Sequence, residues 1–246
     1  MKIEYEIDWQ DPEHLLKVCF PTQYSGTQAR FGDPFGSSLR SQQPGKTYDE
    51  AQWEVAGSRY AMVTDDGERE GLFVVTEAKY GWTARAGNLG LSLLRSARMP
   101  TAGRAQVESE GDASAIFSDL GTHRIRIAVG RFDPGYPREA LPAALAEHLF
   151  TPAIFYKGIT GHCGLAAIEG GPTLLPSWAK PEANGEWTLR LHETLGRRGS
   201  ANILLRDGYS CERLNLSGEV LPDQPKKGCL HFKPYELISL RIRRES

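Results

Sequence analysis

The stretch Gly71–Pro100, GLFVVTEAKYGWTARAGNLGLSLLRSARMP, decides the fold class. Leu72, Phe73, Val74 and Val75 form a short apolar run, and Leu89, Leu91 and Leu93 alternate with Gly90 and Ser92 at period two. Ala84-Arg85-Ala86-Gly87-Asn88 supplies turn residues between them, so the pattern predicts a half-buried β-hairpin. The sequel is Leu93-Leu94-Arg95-Ser96, in which an apolar strand ends on a permanently charged guanidinium. Such a group cannot stay in a core without a partner.

Strand-like runs bounded by Gly, Pro, Asn and Asp recur to either side. They cover Lys2 to Ile7, Leu15 to Phe20, Thr27 to Phe31, Gln52 to Val55, His123 to Val129, Leu165 to Ile168, Thr173 to Trp178, Trp187 to His192, Ala201 to Leu205, Gly228 to Phe232 and Glu236 to Ile242. Many short strands without alternating helices predict a mainly β chain of antiparallel β-sandwich architecture, because parallel sheets need crossover helices. The one helical pattern is Ala140 to Phe150, with Pro142 tolerable only in the first turn; an extended linker is the other reading. Asp33 to Glu50 and Thr101 to Asp119 read as long loops. The proline-dense segment around Arg131 to Pro142 suggests a crossing between two portions. The expected organisation is a larger β-sandwich portion over 1–135 and a second β portion over 136–246 packing on it, or one continuous domain.

The chain has 246 residues, 40% hydrophobic and 24% charged, with a formal net charge of -2. That balance gives no basic excess for nucleic acid. No run approaches the roughly 18 uncharged apolar residues of a membrane helix, and the start lacks a signal-peptide core, so no membrane partner and a cytoplasmic location are expected. Cys19, Cys163, Cys211 and Cys229 are too dispersed for metal spacing and read as buried free thiols. The six histidines include no HxH or HExxH. The acids Asp65, Asp66, Glu68 and Glu70 cluster in a turn-like segment and read as a solvated loop.

Set in order, several blocks resemble the C-terminal β region of family 38 glycoside hydrolases, the class II α-mannosidases. Asp8-Trp9, Leu15-Leu16-Lys17-Val18 and Phe20-Pro21 are similar to the D-W-x-x-x-H-x-x-L-K-V-x-F-P strand, with one residue fewer after Trp9 and His14 in the histidine place. Gln52-Trp53-Glu54-Val55 resembles A-x-F-E-V. Lys79-Tyr80-Gly81 and Leu91 to Ser96 resemble K-Y-G and L-x-L-L-R-S-P, although Ala97-Arg98-Met99 delays Pro100. Asp119 to His123 resembles D-x-G-x-H, after a longer insertion than the family pattern has. Ala179-Lys180-Pro181, Leu189 to Glu193 with Gly196-Arg197, and Pro234 to Leu237 with Leu240-Arg241 complete the series.

The resemblance implies a mannosidase C-terminal, galactose-mutarotase-like supersandwich with little helix. It also implies a partner: an N-terminal catalytic barrel of the same protein, in which an aspartate nucleophile and a zinc ion cleave mannosides through a glycosyl-enzyme intermediate. Those residues are expected outside this chain, which reads as a fragment or a separate domain. No catalytic residue, zinc ligand or other cofactor is assigned within it. The residues expected at a substrate or barrel interface are Arg95, Tyr80, Trp82, Asp119 and His123. Arg95 admits two roles, an ion pair with the barrel or an approach to the substrate cleft. Asp119 and His123 admit a loop staple, with the carboxylate receiving the imidazole proton, or a ligand contact. Trp82, between Gly81 and Thr83, is expected exposed and Trp53 and Trp187 buried. Arg190, Glu193 and Arg197 are expected to form an ion network. The alternatives are a free-standing carbohydrate-binding sandwich and a domain of a mannosylglycerate hydrolase-like enzyme.

Overall fold

The computed structural model describes residues 1–43, 45–51, 54–99, 116–151, 163–182 and 185–245. The chain divides into two units, Met1–Phe31 with Arg40–Phe132, and Gly32–Leu39 with Asp133–Ser246. The strands in chain order begin with β1 (Lys2–Trp9), β2 (Leu15–Pro21), β3 (Gln28–Asp33), β4 (Gly36–Ser41), β5 (Val55–Ala56), β6 (Tyr60–Thr64), β7 (Gly71–Thr76), β8 (Gly81–Arg85), β9 (Asn88–Arg95) and β10 (Gly121–Phe132). They form a six-stranded sheet of order β1-β10-β7-β6-β3-β4 and a four-stranded sheet of order β2-β9-β8-β5.

Period-two burial brings these two sheets together. Ala29, Phe31, Ala61, Val63, Val74, Ile125 and Ile127 come from the larger sheet and Trp82, Leu89, Leu91 and Leu93 from the smaller, all in one buried cluster. At about 25 cal/mol per Å² of apolar area, a side chain of leucine size gains roughly 1.5–3 kcal/mol by such burial. The two-sheet core is therefore the dominant stabilising term of the unit.

The Gly71–Pro100 stretch is a hairpin, but not the one its sequence predicts. Gly71–Thr76 pairs with β6 and β10 in the larger sheet. The hairpin is β8–β9, with Trp82 opposite Leu91 and Arg85 opposite Asn88. Its two-residue turn, Ala86 (φ 46) and Gly87 (φ 80), has the twist of a type I′ turn, which matches the twist of the flanking strands. The chain thus changes sheets between Thr76 and Gly81, and the strand GWTAR is hidden in sequence by its glycine and its nearness to the turn. Trp82 is accordingly corrected: it is fully buried, and its Nε1–H donates to the Gly57 carbonyl at 3.0 Å. Strand alternation aims it inward whatever the size of its neighbours.

The Asp33–Glu50 segment is also corrected, since it contains β4 and a helical turn, α1 (Thr47–Glu50). The acidic turn is exposed at Asp66 and Glu70, as its composition suggests, and it is also tied down by hydrogen bonds. The Asp65 carboxylate accepts the Arg69 and Glu70 amides, which hold its pKa below the usual carboxylate range, Glu70 foremost. Glu68 takes a two-pronged ion pair from the buried Arg30, with Nε to Oε1 at 2.8 Å and Nη2 to Oε2 at 2.9 Å.

The second unit carries α2 (Pro142–Phe150) and β11 (Leu165–Gly170), β12 (Leu174–Pro181), β13 (Trp187–Glu193), β14 (Gly199–Leu205), β15 (Tyr209–Leu214), β16 (Cys229–Phe232) and β17 (Leu237–Arg244). Sheets β11-β14-β16 and β12-β13-β17-β15 bury Leu174, Leu189, Leu191, Ala201, Ile203, Leu230, Phe232, Ile238, Leu240 and Ile242. Trp187 packs against this cluster, half-buried. Pro142 opens α2 in its first turn as predicted. Arg138, just before it, donates to the carbonyls of Leu174, Ile168 and Gly170 at 2.7, 2.9 and 2.7 Å, fixing the entry to the helix against the β11–β12 turn.

Further sequence expectations are revised in this unit and on the first. The cysteines are free, but Cys19 is exposed and Cys163, Cys211 and Cys229 only half-buried; Cys19 lies on the outward face of β2, at the edge of its sheet. Among the described residues no ion pair joins Arg190, Glu193 and Arg197. The Arg190 guanidinium lies over the Trp178 ring, 5.0 Å from its centroid, while Glu193 is spent on backbone amides. Trp53 and most of Thr101–Asp119 lie outside the described residues.

His192 packs its ring edge-to-face with Phe35, centroids 5.8 Å apart, and its Nδ1 is buried with no hydrogen-bond partner. Burial lowers its pKa from the ordinary histidine value, with the Glu147 and Glu193 carboxylates opposing. A depressed histidine means the unfolded chain binds more protons than the folded one below about pH 6.5. Stability is therefore lost as pH falls through that value and on towards the lower folded pKa. His192→Phe should lose less stability than the wild type between about pH 7.5 and about pH 5.5 in thermal denaturation. Equal pH slopes in the two proteins would rule this out.

Candidate functional site

The sites expected from sequence gather at one end of the first unit, where β9 leaves its sheet. Arg95 ends β9 opposite Leu15, the first residue of β2. Gly121 starts β10 opposite Trp9, the last residue of β1. Four strand ends thereby meet, and hydrogen bonds lock them together. Trp9 Nε1–H donates to Ser96 Oγ at 2.5 Å; the Glu13 amide donates to the Ser96 carbonyl at 2.8 Å and the Ser96 amide to the His14 carbonyl at 2.9 Å. From the other side, the Asp119 carboxylate accepts the Arg95 amide at 3.0 Å, and the Ser118 hydroxyl donates to the Arg95 carbonyl at 2.7 Å.

Asp119 adopts φ 54, a left-handed turn conformation that asparagine and aspartate tolerate better than most residues. Its partnership with His123 differs from the expected one. The His123 Nε2–H meets the Asp119 backbone carbonyl at 2.9 Å, while the carboxylate serves the β9 backbone. The sequence spacing offered a staple through the carboxylate or a ligand contact, and it could not reveal which oxygen the imidazole uses.

The Arg95 side chain is exposed and lines a pocket of about 330 Å³ with Glu13, His14, Ser96 and Arg98. Tyr80, 57% exposed, precedes β8 at this same end of the sheet, because β8 begins where its antiparallel partner β9 ends. Arg95, Asp119 and His123 are therefore brought together, Tyr80 shares their end of the sheet, and Trp82 is withdrawn into the core. Leu15, Met99, Ile116 and Leu120 were not among the interface residues expected from the sequence, yet all are large, exposed and placed around the β9 exit. Met99 and Ile116 are joined by a backbone bond of 2.8 Å. No periodicity signals this patch, because its members come from chain segments that end strands.

Among the described residues no group of three or more His, Cys, Asp or Glu could hold a metal ion. No helix among the described residues is long and apolar enough to cross a membrane.

Comparison with known proteins gives a consistent picture. Residues 1–102 match the model of the Glycosyl hydrolases family 38 C-terminal domain. The chain is 31% identical to human Alpha-mannosidase 2C1 over 98% of its own length and 23% of that protein. It is 27% identical to a Saccharomyces cerevisiae Alpha-mannosidase over 50% of its length and 10% of that protein. The chain thus spans about a quarter or less of these relatives. Among solved structures, an alpha-mannosidase from Enterococcus faecalis V583 aligns with 98% of the chain at TM-score 0.71 and 17% identity, the chain covering 27% of it. That likeness concerns the fold.

Proposed function

Because this chain belongs to the C-terminal β region of the family 38 glycosyl hydrolases, we propose that it is the accessory sandwich domain of a longer α-mannosidase-like enzyme and is inactive by itself. The observation that carries the reading is the alignment of 98% of the chain to only 23% of human Alpha-mannosidase 2C1. In this reading the partner is a catalytic domain that supplies the carboxylates and the zinc, and mannosides are its substrate class.

The β9 exit is the face offered to that partner. Leu15, Met99, Ile116, Leu120 and Tyr80 are between 41% and 62% exposed, an apolar rim that a domain gains by covering. Arg95 stands in the middle as the polar anchor, and Asp119 and His123 hold the loop that frames it. The test is hydrolysis of p-nitrophenyl α-mannoside by the purified 246-residue chain, with and without added zinc. No turnover above buffer is expected. Turnover that scales with chain concentration would overturn the reading.

A further inference from the structure

We propose that the free edge of β1 is a docking site for an added antiparallel strand in which Lys or Arg alternates with branched apolar residues. β1 ends the six-stranded sheet, paired with β10 on one side, and among the described residues no strand pairs with its other side. Met1 and Val129 exchange two backbone bonds, of 2.7 and 2.8 Å, which sets the alternation. Ile3, Tyr5, Ile7 and Trp9 therefore bond to β10, and the amides and carbonyls of Glu4, Glu6 and Asp8 point away from it.

Natural sheets blunt such edges with bulges, prolines or charges turned inward. The edge strands β2, β11 and β12 each carry a register shift, and β2 also ends on Pro21. β1 pairs over all eight of its residues without a shift and contains no proline. Its inner face is unfinished as well. Ile3, Tyr5, Ile7 and Trp9 are only partly buried, whereas Ile125 and Ile127 beside them are 6% and 0% exposed.

Charge selects the occupant. Glu4, Glu6 and Asp8 share the exposed face of β1, and β10 sets Arg126 opposite Glu4 and Arg124 opposite Glu6. Arg124 also forms an ion pair with Glu4. A strand of the same kind on the free side repeats these opposite-charge pairs and lays apolar side chains beside Ile3, Tyr5 and Ile7. A second copy of β1 does not fit, because antiparallel pairing centred on Glu6 sets Glu4 against Asp8, acid against acid. The inference rests on this sheet, so it stands or fails separately from the accessory-domain reading.

The test is amide hydrogen exchange of the 246-residue chain, read by NMR, alone and with a synthetic peptide of the β10 sequence Thr122–Val129 at about millimolar concentration. In the chain alone, the Ile3, Tyr5 and Ile7 amides should exchange at least about tenfold more slowly than those of Glu4, Glu6 and Asp8. The peptide should slow the Glu4, Glu6 and Asp8 amides saturably, by about tenfold, and a peptide with Glu in both arginine places should not. In the variant Glu4→Lys with Glu6→Lys, the preference between the two peptides should reverse. Glu4, Glu6 and Asp8 amides as slow in the free chain as their neighbours would reveal a covered edge and overturn the proposal. Equal protection by the two peptides, or none by either, would overturn it too.

Discussion

Trp82→Ala should destabilise the first unit by about 3–5 kcal/mol, read as a lower midpoint in urea denaturation. The indole is fully buried among Phe31, Leu89, Leu91 and their neighbours, so its removal leaves a large cavity between the two sheets. It also strips the Gly57 carbonyl of its Nε1–H donor. A carbonyl left unsatisfied in a core costs about 1–3 kcal/mol by itself. Trp82→Phe should cost clearly less, because most of the ring volume stays. If Trp82 were the exposed residue that its small neighbours suggest, both substitutions would fall within about 0.5 kcal/mol of the wild type, as surface changes do.

Glu193→Ala should cost the second unit a similar amount, about 3–5 kcal/mol, because it breaks a buried hydrogen-bond network by removing the acceptor from several donors at once. The carboxylate is fully buried and accepts the amides of Leu195 at 2.9 Å, Gly196 at 2.7 Å and Tyr235 at 2.9 Å. These bonds tie the turn after β13 to the chain segment before β17. Gly196 (φ 72) has no room for a Cβ there, since one would lie 2.7 Å from the Tyr235 hydroxyl oxygen. Glu193→Gln is the informative companion. It keeps one acceptor oxygen and the shape, so it should fall between the wild type and the alanine variant. Equal, small losses for both would show that the amides find other partners.

The architecture was legible wherever alternation was strong. The runs KIEYEI, LLKVCF, LGLSLL and HRIRIAV became β1, β2, β9 and β10, and Pro142 marked the start of α2. What escaped was of two kinds. Tyr60–Thr64 is buried on every residue, so YAMVT shows no alternation, and Gly36–Ser41 is too polar to read as a strand. Pairing was the second. Leu72–Val75 and Leu89–Leu93 look like neighbours in sequence, yet they belong to different sheets, because the tight Ala86–Gly87 turn gives β9 to β8.

The site was less legible than the fold. Arg95 announced itself as a charge at the end of an apolar strand. Its surroundings could not, because Trp9, Glu13, Ser118 and Asp119 reach it from strand ends up to 87 residues apart in sequence, as in the Trp9–Ser96 bond. The exposed patch of Leu15, Met99, Ile116 and Leu120 is legible only once those ends are gathered.

We propose that this chain supports chemistry carried by a separate catalytic domain. The most direct test replaces the aligned quarter of human Alpha-mannosidase 2C1 with the 246-residue chain and compares p-nitrophenyl α-mannoside hydrolysis with the same enzyme lacking that quarter. The truncated enzyme should be inactive, and the replacement should restore turnover to within about tenfold of the parent, a difference of roughly 1.4 kcal/mol in barrier height. A replacement that folds and remains as inactive as the truncation would contradict it.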